Sequence, residues 1–238
     1  MQHLVPIGFE NESLQARALA IAEQYHLLVD NQTLPRLCVT EEQLVLLMPH
    51  FSPLSVDFST DAWKKRRDAG KQQGLIRACK PKPGLRILDA TAGWGRDAAI
   101  LASFGATVVM LERQPIMAAL LADGLARMPK EAPLPLSLTL VDAMDYLQVM
   151  DVDDYPDVIY LDPMHPSRQK SALVKKDMQA LQELIGADDD VVAVIQEARR
   201  RVRQRVVVKW PQRLAPVLPS SSSITGKTIR FDSYLPVI

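Results

Sequence analysis

From Leu85 onward the chain alternates short apolar runs with amphipathic stretches, and this alternation restricts the fold more than any other feature. Residues 86–90, 107–112, 136–141, 157–162 and 205–210 read as strands with little polar interruption. Between and after them, residues 95–104, 115–127, 144–150, 177–185 and 191–203 have helical spacing. Strands that are apolar throughout must be covered on both faces, which is the condition of a parallel sheet with crossover helices. Residues 223–235 read as a closing hairpin about Thr225, Gly226 and Lys227. Five strands and the hairpin predict a seven-stranded, doubly wound α/β sheet of Rossmann-like type over residues 59–238.

Residues 1–58 read as a smaller α/β lobe. Leu14, Ala18, Ile21, Ala22 and Tyr25 fall on one face of a helix over residues 13–26, with Asn11 or Ser13 as its cap. Residues 37–40 and 44–48 form a hairpin around Glu41, Glu42 and Gln43. Residues 61–78 read as mainly helical with a break near Gly70 or Gly74, and Lys80 to Gly84 as a turn.

At 238 residues, with 47% hydrophobic and 24% charged residues, the chain can bury a real core and has no run long enough to span a bilayer. No secretory signal is visible at the N-terminus, and Cys38 and Cys79 have neither metal-ligand spacing nor a disulfide framework. These features predict a cytoplasmic protein without a metal or a membrane partner. Charge balances at 28 basic and 28 acidic residues, so the whole chain is not a polycation. Lys64, Lys65, Arg66, Arg67, Lys71, Arg77, Lys80 and Lys82 nevertheless cluster against one acid, Asp68. Such a run serves either as a solvated helix face or as a phosphate contact.

Ligands of doubly wound sheets bind beyond the carboxyl ends of the strands, where the winding reverses. The first strand ends in Asp89-Ala90-Thr91-Ala92-Gly93-Trp94-Gly95-Arg96-Asp97-Ala98. Gly93, Gly95 and Ala98 formally satisfy a dinucleotide glycine pattern, which keeps a NAD-dependent oxidoreductase open. Asp89 at the strand end instead suits a cationic group, such as the amine of S-adenosylmethionine. Glu112 ends the second strand and can accept both hydrogen bonds of a ribose diol, a use shared by both cofactors. Asp142, Met144 and Asp145 follow the third strand, where a carboxylate can meet an adenine amine and Met144 can pack on the ring. Three acids at three successive strand ends point to a nucleoside cofactor.

The fourth strand leads into Asp162-Pro163-Met164-His165-Pro166, which resembles the motif of Asp or Asn, two prolines and an aromatic residue in enzymes that methylate exocyclic base amines. The lone pair of such an amine is delocalised into the ring. Accepting its N–H bonds with the Asp162 carboxylate and a backbone carbonyl localises that pair and aims it at the methyl donor. This is catalysis by positioning and electrostatics. Pro163 fixes the turn and His165 is placed to stack on the base. The residues alone leave guanine N2 and adenine N6, in RNA or DNA, equally possible as acceptors, along with a binding protein that keeps the cofactor fold.

Several longer segments resemble one family. They are Asp89 to Ala98, Met110-Leu111-Glu112-Arg113, Ala118 to Arg127, Tyr160 to Met164, Gln169 to Lys176 and Arg205-Val206-Val207-Val208-Lys209. Together they are similar to the RsmJ-type enzymes, which make N2-methylguanosine in the 16S ribosomal RNA of the bacterial small subunit. The resemblance runs from about Val56 to the C-terminus. It implies a class I S-adenosylmethionine-dependent methyltransferase acting on 16S ribosomal RNA or the small subunit. It also implies cofactor contacts at Arg96, Asp97, Glu112, Arg113, Met144, Asp145 and Asp162, to which the strand-end reading adds Asp89 and Gly93. The chain departs from the pattern at His165, where an aromatic residue is expected, and at Asp142, where a different polar residue is expected. Lys170, Lys175 and Lys176 follow the Asp162 loop where an RNA backbone would pass, and Lys209 ends the fifth strand towards the substrate. Residues 199–205 read as a solvated basic face, and Trp63 either packs or covers the site.

Overall fold

The structure is a computed structural model that describes residues 5–70, 72–164 and 190–237. Its centre is a seven-stranded sheet built from β4 (Arg86–Asp89), β5 (Thr107–Glu112), β6 (Leu136–Leu140), β7 (Val158–Leu161), β8 (Arg205–Pro211), β9 (Ser222–Thr225) and β10 (Ile229–Tyr234). The spatial order is β6-β5-β4-β7-β8-β10-β9. The first five strands in that order are parallel, and β10 runs antiparallel to both β8 and β9. β5 leaves on one side of β4 and β7 returns on the other, so the winding reverses at β4 and opens a crevice beyond its carboxyl end.

Alternation along the strands divides the core between the two faces of the sheet. Ile87, Val108, Met110, Val158, Tyr160, Val207 and Phe231 pack on one face. That face is covered by α4 (Arg96–Ser103) and α5 (Pro115–Ala126), whose buried residues belong to the same cluster. Leu88, Leu111, Ile159, Leu161, Val206 and Val208 pack on the other face, under α6 (Ala143–Val149) and α7 (Val191–Arg200). On α7 the buried Val191, Val194, Ile195 and Ala198 follow the spacing of a single helical stripe. That helix stops at Arg200, short of the expected 203, because the Arg203 and Gln204 amides turn back to the carbonyls of Pro156 and Asp157 and lead into β8.

The N-terminal lobe holds β1 (Ile7–Phe9), α1 (Gln15–Tyr25), β2 (Arg36–Val39) and β3 (Leu44–Leu47). β2 and β3 form the expected hairpin, while β1 pairs parallel to β2. Its apolar residues Ile7, Leu37 and Leu44 join the same buried cluster as Ile87 and Val108. Asp123 of α5 ties the lobe down. Its carboxylate accepts from Arg17 at 2.8 Å, from the Leu44 amide at 3.0 Å and from Arg127 at 2.8 Å.

Two short helices, α2 (Thr60–Asp68) and α3 (Gly74–Cys79), connect lobe and sheet. The break uses both glycines. Gly70 has φ of +81°, and a Cβ on Gly74 would stand 2.6 Å from the Phe231 ring. Among the described residues no helix is long and apolar enough to cross a membrane. His165, Lys170, Lys175, Lys176 and the helix expected at 177–185 lie outside the described residues.

Candidate active site

The turn between β4 and α4 forms the floor of the crevice. Gly93 and Gly95 have φ of +52° and +68°, and a Cβ on Gly95 would lie 2.7 Å from Phe58 and 2.9 Å from Leu121. The turn therefore needs glycine for both its conformation and its packing. Its amides are committed within the protein: Thr91 donates to Asp89 Oδ1 at 3.1 Å, Gly93 to Glu112 Oε2 at 3.1 Å and Gly95 to the Ala92 carbonyl at 2.8 Å. A pyrophosphate would require such amides to face outward, so the glycine pattern does not build a dinucleotide site here.

Asp89 is 1% exposed at the end of β4. Burial pushes its carboxyl up to about 8, against the lowering effect of the Thr91 amide; Asp97, Asp162 and Glu112 add to the rise. No ion pair involves Asp89 among the described residues. Glu112, at the end of β5, accepts the Gln114 amide on its other oxygen at 2.8 Å. Burial raises its carboxyl to about 7, opposed by the Gln114 and Gly93 amides. Two backbone donors thus fix the Glu112 plane while its remaining lone pairs can serve a diol.

Two clefts converge on this turn. One has a volume of about 90 Å³ and is walled by Leu111, Val141, Ala143, Leu161, Val191 and Val194, with Glu112, Arg113 and Asp142 at its polar edge. Its apolar walls and polar edge suit the base and ribose of a nucleoside. Arg113 is held at 3.6 Å from both Asp142 and Asp190. The other cleft, of about 910 Å³, is bordered by Trp63, Lys65, Arg66, Asp89, Arg96 and Lys209. Thr91, Gly93, Asp162 and Met164 line both.

Strand alternation turns Asp89, Tyr160, Asp162 and Lys209 to the α4 face, where they meet Asp97. The Tyr160 hydroxyl donates to Asp97 Oδ2 at 2.6 Å, and Lys209 Nζ donates to the same oxygen at 3.1 Å. Lys209 also contacts Asp162 Oδ2 at 2.6 Å, and Arg66 of α2 reaches Asp97 Oδ1 at 2.5 Å. Burial works to raise the Asp97 pKa, but Lys209 and Arg66 outweigh it and hold the carboxyl well below its usual range. Burial likewise opposes the charge of Lys209, yet Asp97 and Asp162 keep its pKa above that of an ordinary lysine. The Asp162 amide donates to Thr91 Oγ1 at 2.6 Å, which locks the ends of β4 and β7 together.

Residues 20–236 match the family model of SAM-dependent methyltransferases. The chain is 54% identical to the ribosomal RNA small subunit methyltransferase J of Legionella pneumophila (strain Corby), over 99% of this chain and 98% of that one. It is 41% identical to the protein of the same name from Serratia proteamaculans (strain 568), over 95% and 97%. The chain belongs to the ribosomal RNA small subunit methyltransferase J family. A crystal structure of a SAM-dependent methyltransferase from Neisseria gonorrhoeae shares the fold, with a TM-score of 0.73, 28% identity and coverage of 98% and 96%. The cofactor of this family is S-adenosylmethionine, so the oxidoreductase alternative falls away.

The donor set fits that cofactor. Asp89 is a buried carboxyl without an ion-pair partner, suited to an ammonium, and Glu112 is a fixed acceptor beside an apolar slot. Asp89, Gly93, Arg96, Asp97, Glu112, Arg113, Asp162 and Pro163 all border one or both clefts. Met144 and Asp145 stand apart. Asp145 is exposed in the first turn of α6, and it is Asp142 and Ala143 that line the smaller cleft. Asp142 also caps α6, accepting the Met144 amide at 2.8 Å. Sequence reading leaves Tyr160 as an ordinary strand residue and Arg66 as one member of a basic run; strand parity places Tyr160 on the same face as Lys209, while Arg66 reaches the group from α2 through Asp97. Trp63 packs, 9% exposed, with its indole N–H on the Phe58 carbonyl at 3.3 Å, and also borders the larger cleft. Arg199, Arg201 and Arg203 reach the carbonyls of Leu235, Gln148 and Asp153, so much of the 199–205 run is engaged with the fold's own backbone.

Proposed function

We propose that this protein transfers a methyl group from S-adenosylmethionine to the exocyclic N2 of a guanine in 16S ribosomal RNA, within the bacterial cytoplasm. The observation that carries the reading is the position of Asp162 between the two clefts, beside Thr91, Gly93 and Met164. The names of the family's curated members support the ribosomal target, and the resemblance of the Asp162 motif to base-amine methyltransferases supports the acceptor.

When bound, S-adenosylmethionine supplies an electrophilic methyl group. Asp89 would hold its amine, Glu112 its ribose, and the smaller cleft its adenine beside Arg113, Asp142 and the turn carrying Met144 and Asp145. Arg96, Asp97 and Gly93 shape the floor between cofactor and acceptor. Asp162 accepts an N–H of the base amine and raises the electron density of its nitrogen, while Pro163, with its fixed φ, restricts the backbone beside it. The basic helix α2 contacts the RNA backbone. Residues 1–58 act as an accessory lobe to the methyltransferase unit of residues 59–238.

The test is methyl transfer from labelled cofactor to small ribosomal subunits isolated from cells lacking the activity, using the wild type and Asp162→Ala. Label is expected in the small-subunit RNA with the wild type only, at similar cofactor affinity for both proteins. Normal turnover by the variant contradicts the role of Asp162, and absence of wild-type transfer contradicts the substrate.

A further inference from the structure

We infer that Lys209 is a positioning residue for the methyl acceptor, a fixed cationic bridge that aims the Asp162 carboxylate from the buried Asp97. The inference rests on the proposed role of Asp162 and adds the group that controls it.

The geometry is that of a strut. Asp97 is held by the Tyr160 hydroxyl from below and by Arg66 from α2, and its side chain is 12% exposed. Lys209 joins this anchored carboxylate at 3.1 Å to Asp162 at 2.6 Å, and its own side chain is 23% exposed at the edge of the larger cleft. The Asp162 backbone is pinned separately through its amide to Thr91 Oγ1. Main chain and carboxylate of Asp162 are therefore fixed from different elements, the turn after β4 and strand β8. A displacement of about 1 Å at a reacting group can cost on the order of 100-fold in rate.

The bridge also sets a positive charge against Asp162. Asp89 from β4, Asp97 from α4, Glu112 from β5 and Asp162 after β7 converge here. Among the described residues the cations that face them are Lys209 from β8 and Arg66 from α2, with Arg96 and Arg113 on the cleft walls. The Tyr160 hydroxyl is pushed well above its ordinary pKa by burial and the nearby carboxylates, so it serves as a donor. Crowded carboxylates favour protonation, and a protonated Asp162 would present an O–H where an acceptor is needed. The Lys209 ammonium opposes this. The same pairing weakens Asp162 as a base, in keeping with a carboxylate that orients an amine instead of deprotonating it.

The test compares Lys209→Met, Lys209→Arg and Asp162→Ala in single-turnover transfer to small subunits across pH, with calorimetric cofactor binding as the measure of an intact site. Lys209→Met should lose about 100-fold in rate while still binding cofactor. The acid limb of its pH profile should move up, the direction expected when an opposite charge beside a carboxylate is lost. Lys209→Arg should keep the wild-type limb. A Lys209→Met protein that binds cofactor and shows a wild-type rate or an unmoved limb overturns the inference. Should Lys209→Met fail to fold, Lys209→Arg decides: a folded, cofactor-binding arginine variant with a displaced acid limb overturns it, and an unmoved limb sustains it. A fully active Asp162→Ala overturns the reading of Asp162 and this inference with it. An inactive Asp162→Ala beside a normal Lys209→Met overturns this inference alone.

Discussion

Replacing Asp89 by Asn should make the cofactor-free protein more stable at neutral pH while impairing cofactor binding. Burial sets the Asp89 carboxyl at about 8, against an unfolded value of 3.8. Between those values the folded protein holds a proton that the unfolded chain has released, so stability falls as pH rises through the window. The slope for one group is about 1.4 kcal/mol per pH unit, which makes the loss on the order of 4 kcal/mol between pH 4 and pH 7. Asn keeps an oxygen for the Thr91 amide, now at 3.1 Å from Asp89 Oδ1, and has nothing to titrate. Urea unfolding of both proteins from pH 5 to 9 without cofactor should give curves that diverge with rising pH, Asp89→Asn being the more stable at pH 8. Taking the difference removes the contribution of Glu112, whose raised pKa acts with the same sign, and of Asp97, whose lowered pKa acts oppositely. Calorimetry with S-adenosylmethionine should show weaker binding by Asp89→Asn and proton release on binding by the wild type near pH 7. Parallel stability curves, or equal cofactor affinity, would refute the reasoning.

Asp123→Ala should cost roughly 1.5–3 kcal/mol by removing the carboxylate that accepts from Arg17, Arg127 and the Leu44 amide, measured by urea unfolding and by earlier proteolysis of the N-terminal lobe. Gly95→Ala should reduce both stability and cofactor affinity, since its φ of +68° and the Phe58 contact at 2.7 Å leave no room for a methyl group; thermal melts with and without cofactor check it. Glu112→Ala should weaken cofactor binding by at least about tenfold, because a charged acceptor's hydrogen bonds contribute roughly 1.5–3 kcal/mol; calorimetry reads the loss.

The sheet is legible in the sequence because its strands are buried on both faces. Val206, Val207 and Val208 or Ile159, Tyr160 and Leu161 leave little doubt about their element, and the acids that end β4 and β5, Asp89 and Glu112, mark the crevice. β1 is not legible, being three residues long with its edge capped by Asn31 from a distant loop, which accepts the Phe9 amide at 2.7 Å. The chain from Arg201 to Arg203 keeps a helical composition, but hydrogen bonds to Pro156 and Asp157 redirect it. The Asp97 network is also hidden, since it joins residues 63 and 112 positions apart that only sheet register brings together. Motifs read as contiguous residues show what borders the cofactor; they do not show which cation holds Asp162.

The central claim is the identity of the methylated atom. Small subunits from cells lacking the activity are incubated with the protein and radiolabelled S-adenosylmethionine, and their RNA is digested to nucleosides. Label in N2-methylguanosine is the predicted result; label in N6-methyladenosine, or none despite cofactor binding, would contradict it.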